Sequence, residues 1–600
     1  MTGGVYRASW FGLAYLGLPA LSLVLFVVFA ACGVATSPLI FPLTVLVVCS
    51  SLCYRAYKQT RSVKIALCDA LVFGLSILVL LALSAFVLDN SWDGQAYHQE
   101  TVLKVAQGWN PIRNLRDPFA PAMAPWFNAK AHEFVAVTMF AVTGLIETGK
   151  ATNFFLLLAS IFLSFDFFRR LIGTSKAASF CAISAAFNPV VLVQLSTFYV
   201  DGCVASGYLC LLSSLGLWFL NDNQIIATIG IVCSVCLLAN LKLSAVWILL
   251  VTFISISAFS FFYQRDSRKF LKLLAIWSLS ATISLVVGIN PYAINLWHLV
   301  RHPAQYLRES EQSVREIGLF APVKFLDTYT NHVTRIGVSI LAKTNNCNEF
   351  ASGPKFEQMY PYKLYEQHAN LHSFNFDIKR IEFPAPFFFD RDDLTIFQDC
   401  DVRLGGFGPW FGEVLIAALF LVAVALALIR PQLKSHASLA LYFAAVIAAS
   451  TIVIAHAWWA RYASIFWLFP NWLLLACYVM SESKRAIRLC TCVLYGLLLC
   501  DSLIVAIPNW SANYQNTLVF REQISLAKEK CRQEHTCIDI YVPSFTVFHS
   551  SIEERYREAG VPCRQVDSQP RPSDFCYRVT DMPFFSYAAT TPVPDKKPQE

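Results

Sequence analysis

Along the chain, apolar residues gather into uninterrupted blocks of roughly 17–24 positions, the length an α-helix needs to cross the hydrocarbon of a bilayer. The blocks lack the strict apolar/polar alternation, in segments of about ten residues, that a membrane β-barrel requires. Lipid offers no partner to backbone N–H and C=O groups, so only helices and closed barrels span it, and this pattern selects helices. Spans are predicted near 12–31, 38–53, 65–88, 151–171, 177–195, 203–220, 224–240, 244–263, 270–289, 411–429, 437–457, 463–480 and 487–507. The expected fold class is an all-α polytopic membrane protein, a bundle of about 13 transmembrane helices. The first block, Leu13 to Ala31, reads as a retained span, because a second block follows at once with no small-residue cleavage site between them.

The charged residues orient this bundle. Arg55, Lys58, Arg61 and Lys64 fall in one short loop, and Arg169, Arg170 and Lys176 in another. Arg265, Arg268, Lys269 and Lys272 occupy a third, Arg430 and Lys434 a fourth, and Lys484, Arg485 and Arg488 a fifth. With these spans, every such loop lies on the same face as the N-terminus, and basic residues beside span ends stay cytoplasmic. The outer face then receives the loop 89–150, the turn 196–202, the loop 290–410 and the C-terminal segment. Two domains are expected: a transmembrane domain over 1–510 with its outer loops 89–150 and 290–410, and a small α/β tail over 511–600. The tail shows a helical pattern near 519–533, then the strand-like run Cys537 to Val542, and its end from Pro592 to Glu600 reads as disordered.

Composition agrees and narrows the function. Hydrophobic residues make up 56% and charged residues 14% of 600, against about 25% charged in soluble domains. The net charge of +7 reflects membrane anchoring residues, not a nucleic-acid surface. No zinc-ligand spacing, Walker loop or dinucleotide fingerprint is present. Most of the 19 cysteines lie inside spans. Six are outer, Cys347, Cys400, Cys531, Cys537, Cys563 and Cys576. That even number suits disulfides in an oxidising compartment, with 347–400 as one expected pair and the tail pairing open; free thiols are the alternative.

The polar residues at span mouths carry the candidate chemistry. The third span ends in Leu88-Asp89-Asn90-Ser91-Trp92-Asp93-Gly94-Gln95-Ala96-Tyr97-His98. A carboxylate at this depth is costly unless solvated, paired or bound to a ligand. Residues 95–108 and 130–147 look amphipathic and suit the interface plane, with Trp109, Trp126 and Phe127 as anchors.

Asp93-Gly94-Gln95-Ala96-Tyr97-His98 resembles the D-x-x-x-Y-H pattern of bacterial membrane glycosyltransferases of the GT-C superfamily. Asn128-Ala129-Lys130-Ala131-His132-Glu133-Phe134 is similar to the stretch that opens their second interfacial helix, without its usual proline. Phe198-Tyr199-Val200-Asp201-Gly202, Asn290-Pro291-Tyr292 and Trp458-Trp459-Ala460-Arg461-Tyr462 resemble later elements in the same order. The resemblance covers roughly residues 65–510, and the two N-terminal spans and the cysteine-bearing tail depart from it.

The resemblance implies transfer of a hexosyl or pentosyl unit from a polyprenyl-phosphate-linked sugar donor, on the outer face of a bacterial inner membrane. The N-terminus would be cytoplasmic and the tail periplasmic, and the acceptor a lipid, a glycan or a protein. Such a reaction needs a base for the acceptor hydroxyl. Asp93 is the candidate, with a helix cap as its alternative, and Asp89, one turn earlier, is its competitor. The leaving phosphate needs positive charge. Arg461 is the candidate, and its alternative is a buried pair with an outer carboxylate. Lys130, Lys242, Arg301 and His302 are further candidates, with snorkelling or a solvated loop as alternatives. Tyr97 and His98 are candidate substrate contacts, with packing and hydrogen bonding in the interfacial helix as alternatives. Asp201 can assist the acceptor, hold a divalent metal with Asp93, or pair with Arg461; a full metal ligand set is not readable from spacing. The rival readings are an oligosaccharide polymerase of envelope glycan assembly and a flippase or transporter. Against the transporter, no internal repeat joins the two halves, and polar residues concentrate at span mouths on one face.

Overall fold

The computed structural model describes residues 3–91, 93–113, 129–221, 223–288, 331–344, 385–402, 404–428, 435–454, 456–481, 484–541, 549–566, 577–578 and 587–592, with positions 300 and 383. The apolar blocks are helices. α1 (Gly3–Ala31), α2 (Ile40–Thr60) and α3 (Val63–Phe86) open the chain. The first loop holds a π-helical turn (Gly94–His98), α4 (Gln99–Ala106) and α5 (Ala131–Thr143). A 3-10 turn (Ile146–Lys150) leads into α6 (Ala151–Ile172), followed by α7 (Ser175–Ala186) and the short α8 (Pro189–Gln194). Next come α9 (Asp201–Phe219), α10 (Gln224–Leu241), α11 (Leu243–Ala258) and α12 (Ser267–Val287). In the long loop lie α13 (His332–Leu341) and α14 (Arg391–Ile396). α15 (Phe411–Leu428), α16 (Ser435–Ile452), α17 (Leu468–Met480) and α18 (Arg485–Glu534) complete the bundle. The tail adds β1 (Thr536–Tyr541), α19 (His549–Glu558), β2 (Cys563–Val566), β3 (Tyr577–Arg578) and β4 (Tyr587–Pro592).

Among the described residues, ten helices are long and apolar enough to cross a membrane, where the hydropathy pattern predicts about thirteen spans. Two of the remaining three are the shorter apolar helices α16 and, with its preceding 3-10 turn, α17. The third, near 177–195, is broken, and the break has a local cause. Pro189 has no N–H to continue a helix from α7, so Asn188 starts a new one, its side chain accepting from the Val190 N–H at 3.0 Å. The same side chain donates to the Ser464 carbonyl at 2.7 Å, which ties the break to the turn beside Arg461.

Helix α9 is the central rod, with its whole membrane window buried, and packs between α6 and α10. Its lone acidic residue, Asp201, opens the helix, where a negative charge opposes the positive end of the backbone dipole. Several hydroxyls inside the spans bond back to the carbonyl four residues earlier, as Thr252 does to Ile248 and Ser280 to Ile276. This keeps them satisfied where no water is at hand. By contrast α2, α3 and α12 expose long apolar side chains such as Leu71, Leu78 and Leu285. Those faces suit lipid.

Helix α18 is 50 residues long, about 75 Å at the α-helical rise and far more than a bilayer core of about 30 Å. Its second half therefore projects beyond the membrane, running unbroken through residue 510 into the tail. Between residues 501 and 517 it stitches the loops together. Asp501 accepts from the Trp410 N–H at 3.0 Å, and Asn509 donates to the Gln398 carbonyl at 3.0 Å. Trp510 donates to the Leu192 carbonyl at 2.8 Å, and Thr517 accepts from the Leu88 N–H at 3.0 Å. Among the described residues the tail holds a four-stranded sheet of order β2-β1-β4-β3, with β1 and β2 parallel and the other pairs antiparallel.

Candidate functional site

The first loop turns on Asp89. This residue is fully buried, and its carboxylate accepts from the Ser91 N–H at 2.8 Å and the Phe198 N–H at 2.7 Å. Burial and the neighbouring Glu147 push its carboxyl above the usual carboxylate range. Gly94 packs directly on it: a Cβ there would sit 1.9 Å from an Asp89 carboxylate oxygen, so no other residue fits. Asp89 thus joins the end of α3 to the turn before α9 and does not face the open site.

Asp93, one turn later, behaves differently. Its backbone is already helical, with φ −61° and ψ −35°, and its side chain caps nothing. The carboxylate instead pairs with Arg461 Nη2 and accepts a hydrogen bond from the Tyr97 hydroxyl. Burial, and after it the charge of Asp93, lifts that hydroxyl well above its usual pKa.

Arg461 is the hub. It lies between α16 and α17, and its guanidinium serves three carboxylates at once. Nη2 reaches Asp93, Nε reaches Asp201 at 2.9 Å, and Nη1 reaches Asp401 at 3.2 Å. The planar fork suits this in a way an ammonium cannot. Tyr199 lies under the guanidinium with its ring centre 4.2 Å away, and Tyr462 and Trp459 flank it at 5.5 and 5.7 Å. Burial alone would lower its pKa, but Asp93, Asp401, Tyr199 and Asp201 hold it well above the usual value, so it stays charged.

Asp201 is shared. Its other oxygen pairs with Lys242, whose ammonium also sits 4.1 Å from the Tyr462 ring centre. Gln194 donates to the Asp201 carboxylate at 3.4 Å, and Ser464 donates to its backbone carbonyl at 2.9 Å. Lys242 is a non-helical residue between α10 and α11, with φ −155° and ψ 139°, which aims it at this cluster. Three carboxylates therefore face two cations, leaving net negative charge. The side chains of Asp93, Asp401 and Lys242 keep 14, 20 and 21% of their surface exposed, so the cluster can be reached from outside the protein.

Asp401 arrives from the long loop. Phe397 and Val402 pack with Val193 and Val505 in a small core of their own, and the Asn509 bond to Gln398 fixes the same segment. A capping box formed by Asp390 and Asp393 starts α14 just before it.

A second group lies apart from Arg461. His98 Nδ1 shares a hydrogen bond of 2.9 Å with Glu133, and the Lys130 ammonium is 3.8 Å from the same oxygen. Burial pushes the Glu133 carboxyl up, but His98 and Lys130 outweigh it and bring it to about 2. The neighbouring His132 is pushed down to about 4, chiefly by burial, and meets Phe198 edge to face at 5.5 Å.

The structure thus brings Asp93, Tyr97, Asp201, Lys242 and Arg461 together and leaves Asp89 and Lys130 outside the cluster; His98 meets only the Tyr97 ring, with centroids 4.3 Å apart. Arg301 and His302 lie outside the described residues, as do Trp126, Phe127, Cys347 and Cys576. Cys400 is a free thiol, so the expected 347–400 disulfide is not formed; the thiol lies in the small core that carries Asp401. Arg461 supplies positive charge between Asp93 and Asp201, where a divalent metal was the other reading. Among the described residues, no group of three or more His, Cys, Asp or Glu side chains is arranged to hold a metal ion. Asp401 was not singled out in the sequence, and Tyr199 and Tyr462 stood there only within the resembling elements, with no role of their own. Asp401 follows Asp399 and Cys400 in an acidic run with no mark to single it out.

No protein family and no curated protein matches the sequence. Among solved structures, the chain is similar to the crystal structure of ArnT from Cupriavidus metallidurans in the apo state, at 13% identity. The match covers 87% of this chain and 97% of that one with a TM-score of 0.37, a likeness too slight to carry an argument about the site.

Proposed function

We propose that this chain is a GT-C-type glycosyltransferase that moves a sugar from a polyprenyl-phosphate donor to an acceptor hydroxyl, and that the loop-bearing face is the outer one. The observation that carries the reading is the Arg461 cluster, a reachable carboxylate and two cations at the mouth of a bundle of apolar helices. There a lipid tail can stay in the membrane while its phosphate and sugar meet the charged group. The order of the D-x-x-x-Y-H, later Asp-Gly and W-x-x-R-Y elements supports the same reading.

In this mechanism Asp93 takes the proton of the acceptor hydroxyl as that oxygen bonds to the anomeric carbon. The bond from the same carbon to the phosphate oxygen breaks, and its electron pair leaves with the polyprenyl phosphate. Arg461 and Lys242 supply positive charge for the departing anion. Asp201 and Asp401 keep Arg461 in place, and Tyr199 supports it from below. An arriving phosphate would compete with Asp93 for Arg461, which frees the carboxylate to act as base. A bacterial inner-membrane location with the N-terminus in the cytoplasm completes the proposal, supported by the placement of the basic loops.

The test compares wild type and Asp93→Asn at matched levels in a strain lacking the gene, by mass spectrometry of polyprenyl-phosphate sugars and envelope glycans. The expected result is one accumulated polyprenyl-phosphate sugar and one lost envelope sugar. A deletion defect that Asp93→Asn repairs as well as wild type would overturn the assignment and favour a flippase or assembly role.

A further inference from the structure

The tail is built into the mouth of the site. Helix α19 packs against α4, and its Arg555 is only 3% exposed. The Arg555 guanidinium donates to Glu147 through Nε at 3.0 Å and Nη2 at 2.6 Å, and Nη2 also donates to the Asp89 carbonyl at 2.6 Å. Glu147 in turn pairs with Lys150 at 2.6 Å and accepts from the Asp89 N–H at 3.1 Å. The Arg555–Glu147 pair therefore holds the Asp89 peptide at both its N–H and its C=O. Two further contacts seal the tail: Glu100 accepts from the Ser550 and Ser551 N–H groups at 2.7 and 3.1 Å, and Glu558 accepts from the Ile146 N–H at 2.6 Å.

We propose that Arg555 is a positioning residue for the Asp93–Arg461 pair, acting through Asp89. Asp89 touches both walls of the cluster. On one side Gly94 closes on its carboxylate, which sets where the preceding Asp93 stands. On the other, its carboxylate holds Phe198, next to the Tyr199 ring on which Arg461 rests. A shift of the Asp89 peptide moves both walls, and Arg555 is the side chain that spans from the tail to that peptide. Glu100 anchors the same tail helix without touching Asp89, which separates positioning from mere docking. The consequence for turnover rests on the glycosyltransferase reading; the geometry does not.

The test is hydrogen exchange on the full-length protein in lipid nanodiscs. For Arg555→Ala the expected result is about tenfold faster exchange in 93–106 and in 196–203, restored by millimolar guanidinium, which refills the emptied position. Arg555→Lys keeps a charge beside Glu147 and preserves the fold, but one ammonium cannot serve Glu147 and the Asp89 carbonyl in one plane. It should loosen 196–203 as well. Glu100→Ala should loosen only 549–558. Product formation should fall in both Arg555 variants and recover with guanidinium for Arg555→Ala alone. Exchange that rises only in the tail, or no guanidinium recovery, overturns the proposal. If the exchange pattern holds while Asp93→Asn leaves envelope glycans intact, the transferase reading falls and the positioning role stands.

Discussion

Two buried ion clusters lie side by side at the loop-bearing mouth, and they are built for different tasks. In the Glu147 cluster, the Glu147 and Arg555 side chains are 2% exposed and Lys150 is wholly buried. Two cations meet Glu147, with Asp89 against it, and peptide groups take up the remaining bonds. In the Arg461 cluster, three carboxylates crowd two cations, and Asp93, Asp401 and Lys242 remain partly open. A closed, balanced ion cluster fixes backbone. An open one with surplus charge is poised for a partner that is not part of the chain. On the proposed function, the four-residue step from Asp89 to Asp93 divides structure from chemistry, although the two side chains are identical.

The largest effect should come from breaking the closed cluster. Glu147→Ala strands Lys150 and Arg555 in a buried site, and losing one partner of a buried pair costs about 3–5 kcal/mol. The thermal midpoint and the yield of folded protein should both collapse, while Asp401→Asn should leave them almost unchanged. Asp93→Asn should reverse the pattern: product formation drops on the order of 10²–10⁴-fold with little change in thermal midpoint. Arg461→Lys keeps the charge but not the fork, so on the order of 10²-fold loss is expected in the same assay.

A smaller effect follows from pH. Burial raises Glu100 and Glu558, both at the tail contact, to about 7 from 4.5. Their docked pKa lies above the undocked one, so the contact takes up protons. Its stability is fully present below about 4.5 and declines as pH rises towards 7, then levels off. After correction for intrinsic rates, amides of 549–558 should exchange faster at pH 8 than at pH 5; the opposite order would show that the backbone N–H donors dominate. The smallest expected effect is at the cap of α14. Asp390→Ala removes one half of a capping box and should cost about 1 kcal/mol, seen as a modest rise in exchange around 391–402.

The legible part of this molecule is the part governed by short-range pattern. Apolar blocks marked all ten membrane-length helices among the described residues, because lipid imposes both length and polarity on each one. Charged residues at span mouths marked Asp93, Asp201, Lys242 and Arg461, since charge at that depth needs a reason. Asp401 was not legible because a long loop brings it to Arg461, and nothing local separates it from Asp399. Asp93 stood ahead of Asp89 in the sequence, but the contacts that separate them, the Phe198 N–H on Asp89 and Arg461 on Asp93, come only from the fold. Arg555 was not singled out in the sequence, and only the fold places it on the Asp89 peptide.

The most direct test of the central claim sets Asp89→Asn beside Asp93→Asn in one assay of folding and one of sugar transfer. If the account holds, Asp93→Asn keeps the wild-type thermal midpoint and loses transfer, whereas Asp89→Asn loses midpoint and transfer together. If Asp89→Asn stays as stable as wild type and alone abolishes transfer, the open cluster around Arg461 is not where the chemistry happens.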